Sequence, residues 1–166
     1  MARTRTGATA LAGALALTAL GVGFAPTAAA DGPAVQNKYS VKVTATTKNV
    51  GGKLLATCSA GKGGTCTLSK TYSVTRTIGT DLGISRGAVA SSINFSSSTS
   101  ASVTAACTSP KFSSNSQVYK AYTQGTRKYY KVTKKTYVQG MLASTKTSGT
   151  LSAFNPTGVK CVMRQR

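Results

Sequence analysis

The residues best suited to binding chemistry form a dense cluster of tyrosines and basic side chains between Val118 and Val138. Aromatic rings can stack on bases or sugars while cations neutralise acidic groups, so this combination is typical of polyanion-binding surfaces. Tyrosine also suits ordinary strands, and lysine on a strand discourages edge-to-edge aggregation. The candidate partner-binding or polyanion-binding residues are Tyr119, Lys120, Tyr122, Arg127, Lys128, Tyr129, Tyr130, Lys131, Lys134 and Lys135.

The side chains that most enzymes use for catalysis are scarce. The chain has no His, and its two acidic residues are Asp31 and Asp81. A Ser-His-Asp triad, a Cys-His pair and a paired-carboxylate glycosidase site therefore each lack a member. A Ser-Lys pair is compatible with the composition, but both residue types are too abundant to single one out. We expect that this protein is not an enzyme and binds no cofactor.

Four cysteines, Cys58, Cys66, Cys107 and Cys161, form a second group of reactive side chains. In an exported chain an even number of cysteines predicts two disulfides, for which three pairings exist. The glycine-rich loop between the first two cysteines permits tight closure, which favours Cys58–Cys66 and, with it, Cys107–Cys161. A zinc site would need the usual Cys and His spacing, and the sequence has neither a C-x-x-C pair nor a His. We therefore expect no metal.

The first thirty residues have the pattern of an export signal. Arg3 and Arg5 form the charged start, an apolar run extends from Ala8 to Phe24, and Ala28-Ala29-Ala30 is a small-residue cleavage site. A membrane anchor is the alternative, but the apolar run is short and is followed by the cleavage site. We expect residues 1–30 to be removed and residues 31–166 to form a single secreted, extracellular domain.

The charge balance favours anionic partners. The chain has 21 Lys and Arg residues against 2 acidic residues, a formal net charge of +19. Loss of Arg3 and Arg5 with the signal lowers this charge by two, to +17. Such a charge suits nucleic acid, acidic cell-wall polymers, anionic lipid or an acidic protein. It also keeps an exported protein soluble without any partner.

The elements that must position these residues are strands, because apolar residues alternate with small polar ones along most of the chain. The longest such stretch, Val89–Cys107, predicts one long strand or a hairpin folded at Ser96–Ser100. The segment before it contains Gly79, Gly83 and Gly87, which argue against a helix. The sequence predicts an all-β fold, an antiparallel sandwich or barrel-like single domain with two disulfides and about seven or eight strands.

Three turns are predicted within this β-rich chain. Asn49–Gly52 separates two strands, and Asn155–Pro156 divides a last short strand pair. Gln124–Gly125 closes a hairpin that would place Tyr119 opposite Tyr130. The tyrosine and lysine cluster would then be spread over two adjacent strands.

The segment Tyr72–Cys107 resembles in composition the stems of aerolysin-like β-pore-forming toxins, whose hairpins line a polar lumen and face lipid outside. Its faces are small and hydroxylated, but Ser97, Thr99 and Ala101 stand where lipid contacts would be. This resemblance implies an alternative function as a β-pore-forming or cationic membrane-active protein. The sequence alone does not decide between membrane contact and its absence.

Three segments carry a resemblance to the small cationic β proteins that actinobacteria export. They are TAACTSP (Thr104–Pro110), AYTQGTRKYYKV (Ala121–Val132) and SGTLSAFNP (Ser148–Pro156). In size, export and cysteine content the chain is also similar to the small adaptor subunit of actinobacterial umbrella toxin particles. In that family the small subunit is non-catalytic and links a lectin-like subunit to the large toxin-bearing one.

The resemblance implies a role for the extended N-terminal segment, residues 31–45, as a strand donated to a partner. The residues that this strand would use are Tyr39, Val41 and Val43. We therefore expect a secreted, non-catalytic binding protein, an adaptor or structural subunit of an exported antibacterial toxin assembly. Its expected partners are other secreted protein subunits, with an anionic cell-surface polymer as a further candidate. The alternatives are the membrane-active protein and a binder of nucleic acid or cell-wall polymer.

Overall fold

Seven strands and one short helix make up the fold of residues 34–166, the part of the chain that the computed structural model describes. The elements are β1 Val35–Cys58, β2 Thr67–Thr75, β3 Thr77–Ile78, α1 Arg86–Ser92, β4 Ser100–Thr108, β5 Gln117–Val138, β6 Met141–Thr147 and β7 Leu151–Gln165. The predicted all-β antiparallel fold with two disulfides is confirmed, in a sandwich-like form rather than a closed barrel. The export signal predicted for residues 1–30 lies outside the described residues.

The central strand of the larger sheet is β5. On one side it pairs antiparallel with β1, from Val35 opposite Val138 to Cys58 opposite Tyr119. On its other side β7 pairs with the first part of β5 and β6 pairs with the last part, while β3 adds to the far edge of β7. The tyrosine and lysine cluster therefore occupies one continuous strand, and the predicted hairpin at Gln124–Gly125 is wrong.

Glycine at position 125 allows close packing between strands rather than a turn. A Cβ there would meet the Asn155 carbonyl oxygen, and it would lie 2.8 and 2.9 Å from ring atoms of Phe154. The backbone of β5 can pass under Phe154 because this position has no side chain. Gly125 is therefore required for close packing against Phe154, and it does not mark a turn.

The other two predicted turns are also irregularities within continuous strands. Register shifts interrupt the pairing of β1 with β5 between Thr47 and Val50, where Asn49 has φ 58°. The Asn155–Pro156 step lies inside β7, beside a register shift at Gln124 and Gly125 of β5. Bulges bend and twist a strand without reversing it, so both predictions of a turn are wrong.

The stretch Val89–Cys107 contains a helix followed by a strand, so its prediction as one long strand or hairpin is wrong. The hydroxyl of Ser85 accepts a hydrogen bond from the Ala88 N–H at 3.2 Å and caps α1. Val89 and Ile93 are both buried, and a spacing of four places them on one face of either a helix or a strand. The Ser85 N-cap and the packing of these two buried side chains favour the helix.

The strand β4 pairs with β2 in a separate two-stranded sheet, in unbroken register from Thr67 opposite Thr108 to Thr75 opposite Ser100. The segment that resembled a pore stem therefore includes parts of both strands, but α1 and β3 lie between them. Among residues 34–166 no helix is long and apolar enough to cross a membrane.

Two apolar clusters lie on opposite faces of the larger sheet. Tyr130 and Val132 of β5 pack against α1 and the loop before it. Tyr119 and Ala121 of β5 belong to the second cluster, which the β2–β4 sheet covers. Even-numbered and odd-numbered residues of one strand point to opposite faces, so β5 supplies side chains to both clusters.

The larger sheet continues from the first cluster as a three-stranded arm, whose base includes Val132 of that cluster. We define the arm as Val35–Lys42 of β1, Lys131–Val138 of β5 and the whole of β6. Every residue of β6 is exposed. At its base Ser148 is buried and bonds Val132 twice, with its N–H donating to the carbonyl at 2.8 Å and its hydroxyl accepting from the N–H at 2.9 Å. The arm is thus a defined extension of the core sheet.

Candidate functional site

Both predicted disulfides are confirmed. Cys58–Cys66 joins the end of β1 to the residue before β2, and Cys107–Cys161 joins β4 of the smaller sheet to β7 of the larger one. All four cysteines are therefore occupied in bridges. Their role is structural, because a bridged sulfur offers neither a thiolate nucleophile nor a metal ligand.

Two of the predicted binding residues belong to the core. Tyr119 is 8% exposed and Tyr130 is 0% exposed. The Tyr130 hydroxyl donates a hydrogen bond to the Gly79 carbonyl at 2.6 Å. Burial raises the pKa of Tyr130 above the ordinary value, while the Arg86 charge and the Gly79 hydrogen bond oppose that rise. These rings stabilise the two packed faces and are not available on the surface.

Two predicted basic residues are held by specific contacts. The Lys128 Nζ donates to the Ile93 carbonyl at 2.7 Å and lies 5.0 Å from the centre of the Phe95 ring. This places a cation at the C-terminal end of α1, where it is electrostatically favourable. The Arg127 guanidinium lies 5.8 Å from the centre of the Phe154 ring. Lys128 thus links α1 to β5 of the larger sheet.

The remaining predicted residues are spread along β5. Lys131 and Lys135 are exposed, and Lys120, Tyr122, Tyr129 and Lys134 are half-buried. A strand of this length extends about 70 Å at a rise of about 3.3 Å per residue. The cluster is contiguous in sequence but does not form one surface patch.

A cavity of about 400 Å³, which the sequence did not reveal, lies beside Arg127. Its walls come from β1, β2, β3, β5 and β7, and include Leu54, Tyr72, Thr123 and Phe154. The lining combines aromatic rings and hydroxyl groups with one guanidinium, and contains no carboxylate, His or Cys. Because its residues come from five strands without a common spacing, no local pattern could have predicted it.

Four lysines of the arm form two cross-strand pairs, which we call the lysine rungs. Lys38 lies opposite Lys135, and Lys42 lies opposite Lys131. Both rungs are on the same face, because their residues are four apart in each strand. Asp81, far along the chain in the loop before α1, is the one acidic side chain in residues 34–166. The rungs therefore bring cations together without a carboxylate within the arm.

The opposite face of the arm carries a third lysine pair, because Lys134 lies opposite Lys146 of β6. Tyr39 lies opposite Lys134 on the side of β1, and its hydroxyl donates to the Leu82 carbonyl at 3.2 Å. Lysines thus surround the arm on both faces. Sequence reasoning found Lys131, Lys134 and Lys135 but missed their partners, because only the strand register brings these together.

The candidate donated strand lies within β1. Tyr39, Val41 and Val43 are paired with Lys134, Val132 and Tyr130 of β5. Val41 also packs against the first apolar cluster. Since β1 is the end strand of its sheet, its second edge carries no strand among the described residues. Residues 31–33 of the predicted segment lie outside the described residues.

The free end of the arm is apolar. Val35, Met141 and Leu142 are 60%, 70% and 54% exposed. The turn that joins β5 to β6 has positive φ at Gln139 and Gly140, 51° and 81°, as a tight two-residue hairpin turn requires. The Gln139 N–H donates to the Ala34 carbonyl at 3.0 Å and holds the start of β1 against this turn.

Comparisons of the sequence with known proteins assign it to no family. No protein-family model matches the chain. No curated protein matches its sequence.

Proposed function

We propose that this protein is a secreted, non-catalytic binding protein that acts as an adaptor or structural subunit of an exported antibacterial assembly. The observation that carries the proposal is the free edge of β1, a strand of 24 residues that is paired on one side. An unpaired edge presents a row of backbone N–H and C=O groups to which another chain can add a strand. The antibacterial and toxin context comes from the resemblance to the umbrella particle adaptor.

The edge is regular in one part, and that part is the proposed docking strand. Register shifts interrupt β1 after Val43, Thr47, Gly51 and Leu54. Bulges disrupt the hydrogen-bonding ladder, so they disfavour regular pairing with a partner over the rest of the strand. The uninterrupted stretch Val35–Val43 coincides with the segment expected to contact a partner.

The charge of this stretch indicates which partner strand would fit. A strand added to β1 would lie next to Lys38 and Lys42, because side chains of adjacent strands at the same level are neighbours. Opposite charges at such positions stabilise the pair, and like charges destabilise it. The partner strand would therefore carry acidic residues on the face of the lysine rungs.

The non-catalytic part of the proposal is supported by the surroundings of the remaining acid. An Asp81 carboxylate oxygen accepts a hydrogen bond from the Leu82 N–H at 2.7 Å, and no second carboxylate or His exists in residues 34–166 to pair with it. General acid–base catalysis needs a proton donor or acceptor placed beside the reacting group. Asp81 instead shapes the loop before α1.

Proline substitutions at two neighbouring positions test the docking edge. Successive residues of a strand direct their N–H groups to opposite edges, so one of Gln36→Pro and Asn37→Pro removes a hydrogen bond to β5 and the other removes one from the free edge. The substitution at the free edge should leave the urea unfolding midpoint nearly unchanged. It should also abolish co-purification of a second polypeptide with the tagged protein from culture medium.

The pair of variants serves as its own control. Hydrogen exchange of the β5 backbone amides identifies which of the two substitutions lies on the free edge. In that variant the N–H groups of Tyr137 and Thr136 should exchange as slowly as in the wild-type protein. A tagged wild-type protein that elutes strictly as a monomer without a second polypeptide would contradict the adaptor function. Co-purification that survives the free-edge proline would contradict the edge as the docking site.

A further inference from the structure

Exposed apolar side chains are concentrated at the tip of the arm. Val35 lies opposite Val138, and Val138 lies opposite Met141, so these three side chains share one face. Leu142 lies opposite Tyr137 on the other face. Exposed apolar patches on otherwise polar surfaces mark sites that bind a partner or a membrane. The tip therefore has apolar side chains on both faces and at its end.

Lysines surround the arm directly behind this tip. Lys38 is three residues from Val35 in β1, and Lys135 is three residues from Val138 in β5. Each separation corresponds to about 10 Å along the strand. On the opposite face Lys134 lies opposite Lys146. These four lysines, which we call the collar, encircle the arm at a single level.

The apolar tip lies at the end of the arm and the collar lysines lie behind it. An anionic membrane has the same order, with apolar chains inside and charged phosphates at the surface. Apolar side chains of interfacial proteins enter about 5–10 Å into the boundary between headgroups and acyl chains, while lysines behind them meet lipid phosphates. Aromatic rings with a polar end favour the headgroup level. Tyr137 lies at that level, with the Lys38 Nζ 5.1 Å from its ring centre.

The backbone at the tip is compatible with shallow insertion. The two strands are closed by a tight turn, and the Gln139 N–H donates to the Ala34 carbonyl. Backbone groups that enter an apolar environment need hydrogen-bond partners, and pairing of β6 with β5 supplies many of them. The tip can therefore enter the interface without unfolding.

We propose that the tip of the arm docks onto anionic lipid membranes. Val35, Met141 and Leu142 enter the interface, and the collar contacts lipid phosphates. A soluble polyanion accounts for the lysines but gives no role to the exposed Met141 and Leu142. This site shares Val35 and Lys38 with the proposed docking edge, whereas Met141 and Leu142 belong to β6, on the opposite side of β5 from β1.

Vesicle flotation with the secreted protein tests the proposal. Wild-type protein should float with vesicles of phosphatidylcholine and phosphatidylglycerol, and it should not float with pure phosphatidylcholine. The double substitution Met141→Ser and Leu142→Ser should weaken binding about tenfold or more, because two apolar side chains no longer enter the interface. The control Leu54→Ser removes an exposed leucine far from the arm and should leave vesicle binding unchanged.

A matched pair of charge variants tests the collar. Lys135→Gln with Lys146→Gln should weaken vesicle binding about tenfold or more, since each lysine near an anionic surface contributes to attraction. Lys62→Gln with Lys111→Gln removes the same charge from exposed loop positions away from the arm and should have a much smaller effect. An equal loss of vesicle binding in the two variants would contradict a specific role of the collar, because net charge alone would then explain binding.

A fluorescent reporter tests insertion directly. The chain has no Trp, so Leu142→Trp introduces a single reporter at the tip. Its emission should shift to shorter wavelength on anionic vesicles and remain unshifted with heparin. Tip variants that bind vesicles as well as wild type, or binding to heparin and DNA without binding to vesicles, would overturn the proposal.

Discussion

Tyr130 shows at the scale of a residue how a candidate binding group becomes part of the core. It occurs in the densest run of aromatic and basic residues, yet its ring is fully buried and its hydroxyl bonds the Gly79 carbonyl. Buried polar groups need a hydrogen-bond partner, and Gly79 supplies it from the segment after β3. The residue joins β5 to the loop that leads to α1.

Replacement of Tyr130 by Phe should lower the free energy of unfolding by about 1–2 kcal/mol at neutral pH, because a hydrogen bond is lost and a carbonyl loses its partner. The effect should shrink at high pH. The pKa of Tyr130 is raised above the ordinary value of 10.0 by burial, so the unfolded tyrosine loses its proton first. Wild-type stability should therefore fall as pH rises past 10.0, and urea titrations of both proteins measure the difference.

The Phe variant is the control for every other group that titrates in this range. Ordinary tyrosine and lysine side chains ionise between about pH 9 and 11, and the Phe variant keeps every such group except Tyr130. The contribution of Tyr130 is the pH dependence of the difference between the two proteins. A difference that is constant or increases over this range would contradict the direction assigned to the pKa.

Arg76 shows how an acid-poor chain stabilises a buried charge. Its guanidinium donates to the Asn155 side-chain oxygen at 2.6 Å and to the Ser98 and Ser100 carbonyls at 3.0 and 3.1 Å. A buried charge is tolerated when oriented dipoles replace the water it loses. The three acceptors lie in β7, at the start of β4 and in the segment before β4, so Arg76 stabilises the approach of the smaller sheet to the larger one.

At the scale of an element, the arm is defined by strand register. The lysine rungs require that Lys38 and Lys42 lie opposite Lys135 and Lys131. Like charges in directly opposed positions destabilise an antiparallel pair, so the arm is less stable than its strand content alone suggests. Ligands that bind the rungs or the collar would relieve this repulsion.

Replacing Lys42 by Glu should stabilise the protein by about 0.5 kcal/mol at low ionic strength, because the Lys42–Lys131 rung becomes a pair of opposite charges. The gain should decrease in high salt, since exposed charges are screened. Urea unfolding at two salt concentrations measures both effects.

Lys62→Glu changes the net charge by the same amount and lies in the loop between Cys58 and Cys66. It is therefore the control for the effect of overall charge on stability. If both substitutions stabilise the protein equally, the register of β1 and β5 in the arm would not explain the gain.

At the scale of the whole molecule, the two disulfides have different roles. Cys58–Cys66 closes a local loop with a sequence separation of 8, whereas Cys107–Cys161 ties the two sheets together with a separation of 54. A longer loop loses more conformational freedom in the unfolded chain when it is closed. The second bridge therefore constrains the layered arrangement as a whole.

Alanine substitution of both cysteines of Cys107–Cys161 should lower the free energy of unfolding by about 4 kcal/mol, against about 2.5 kcal/mol for the pair Cys58–Cys66. The difference follows from loop length in the unfolded state. Urea unfolding of the two double variants under non-reducing conditions measures it. A larger loss from removal of the short bridge would contradict this assignment of roles.

The sequence was sufficient for those properties that local patterns determine. Alternation of apolar and polar residues predicted strands, and the glycine-rich loop predicted the pairing of Cys58 with Cys66 and hence the second bridge. The residue types also indicated a cationic chain without the usual catalytic groups. The strand and disulfide predictions succeed because periodicity and short loops depend on neighbours in the chain.

Other features depended on contacts between distant segments. Gly125 predicted a turn by its type, but packing of Phe154 from β7 against it shows why a glycine lies inside a strand. The spacing of Val89 and Ile93 suits a strand as well as a helix, and burial against the larger sheet selects the helix. Neither outcome can be inferred from a local window, because the deciding atoms come from elsewhere in the chain.

The sequence by itself thus determined the fold class, the disulfides and the basic, aromatic character of β5. Only the tertiary structure decided which of those aromatic rings are buried, and that Lys131, Lys134 and Lys135 meet lysines from β1 and β6. The physical reason is that strand register and layer packing determine which side chains share a face, and both arise from long-range pairing.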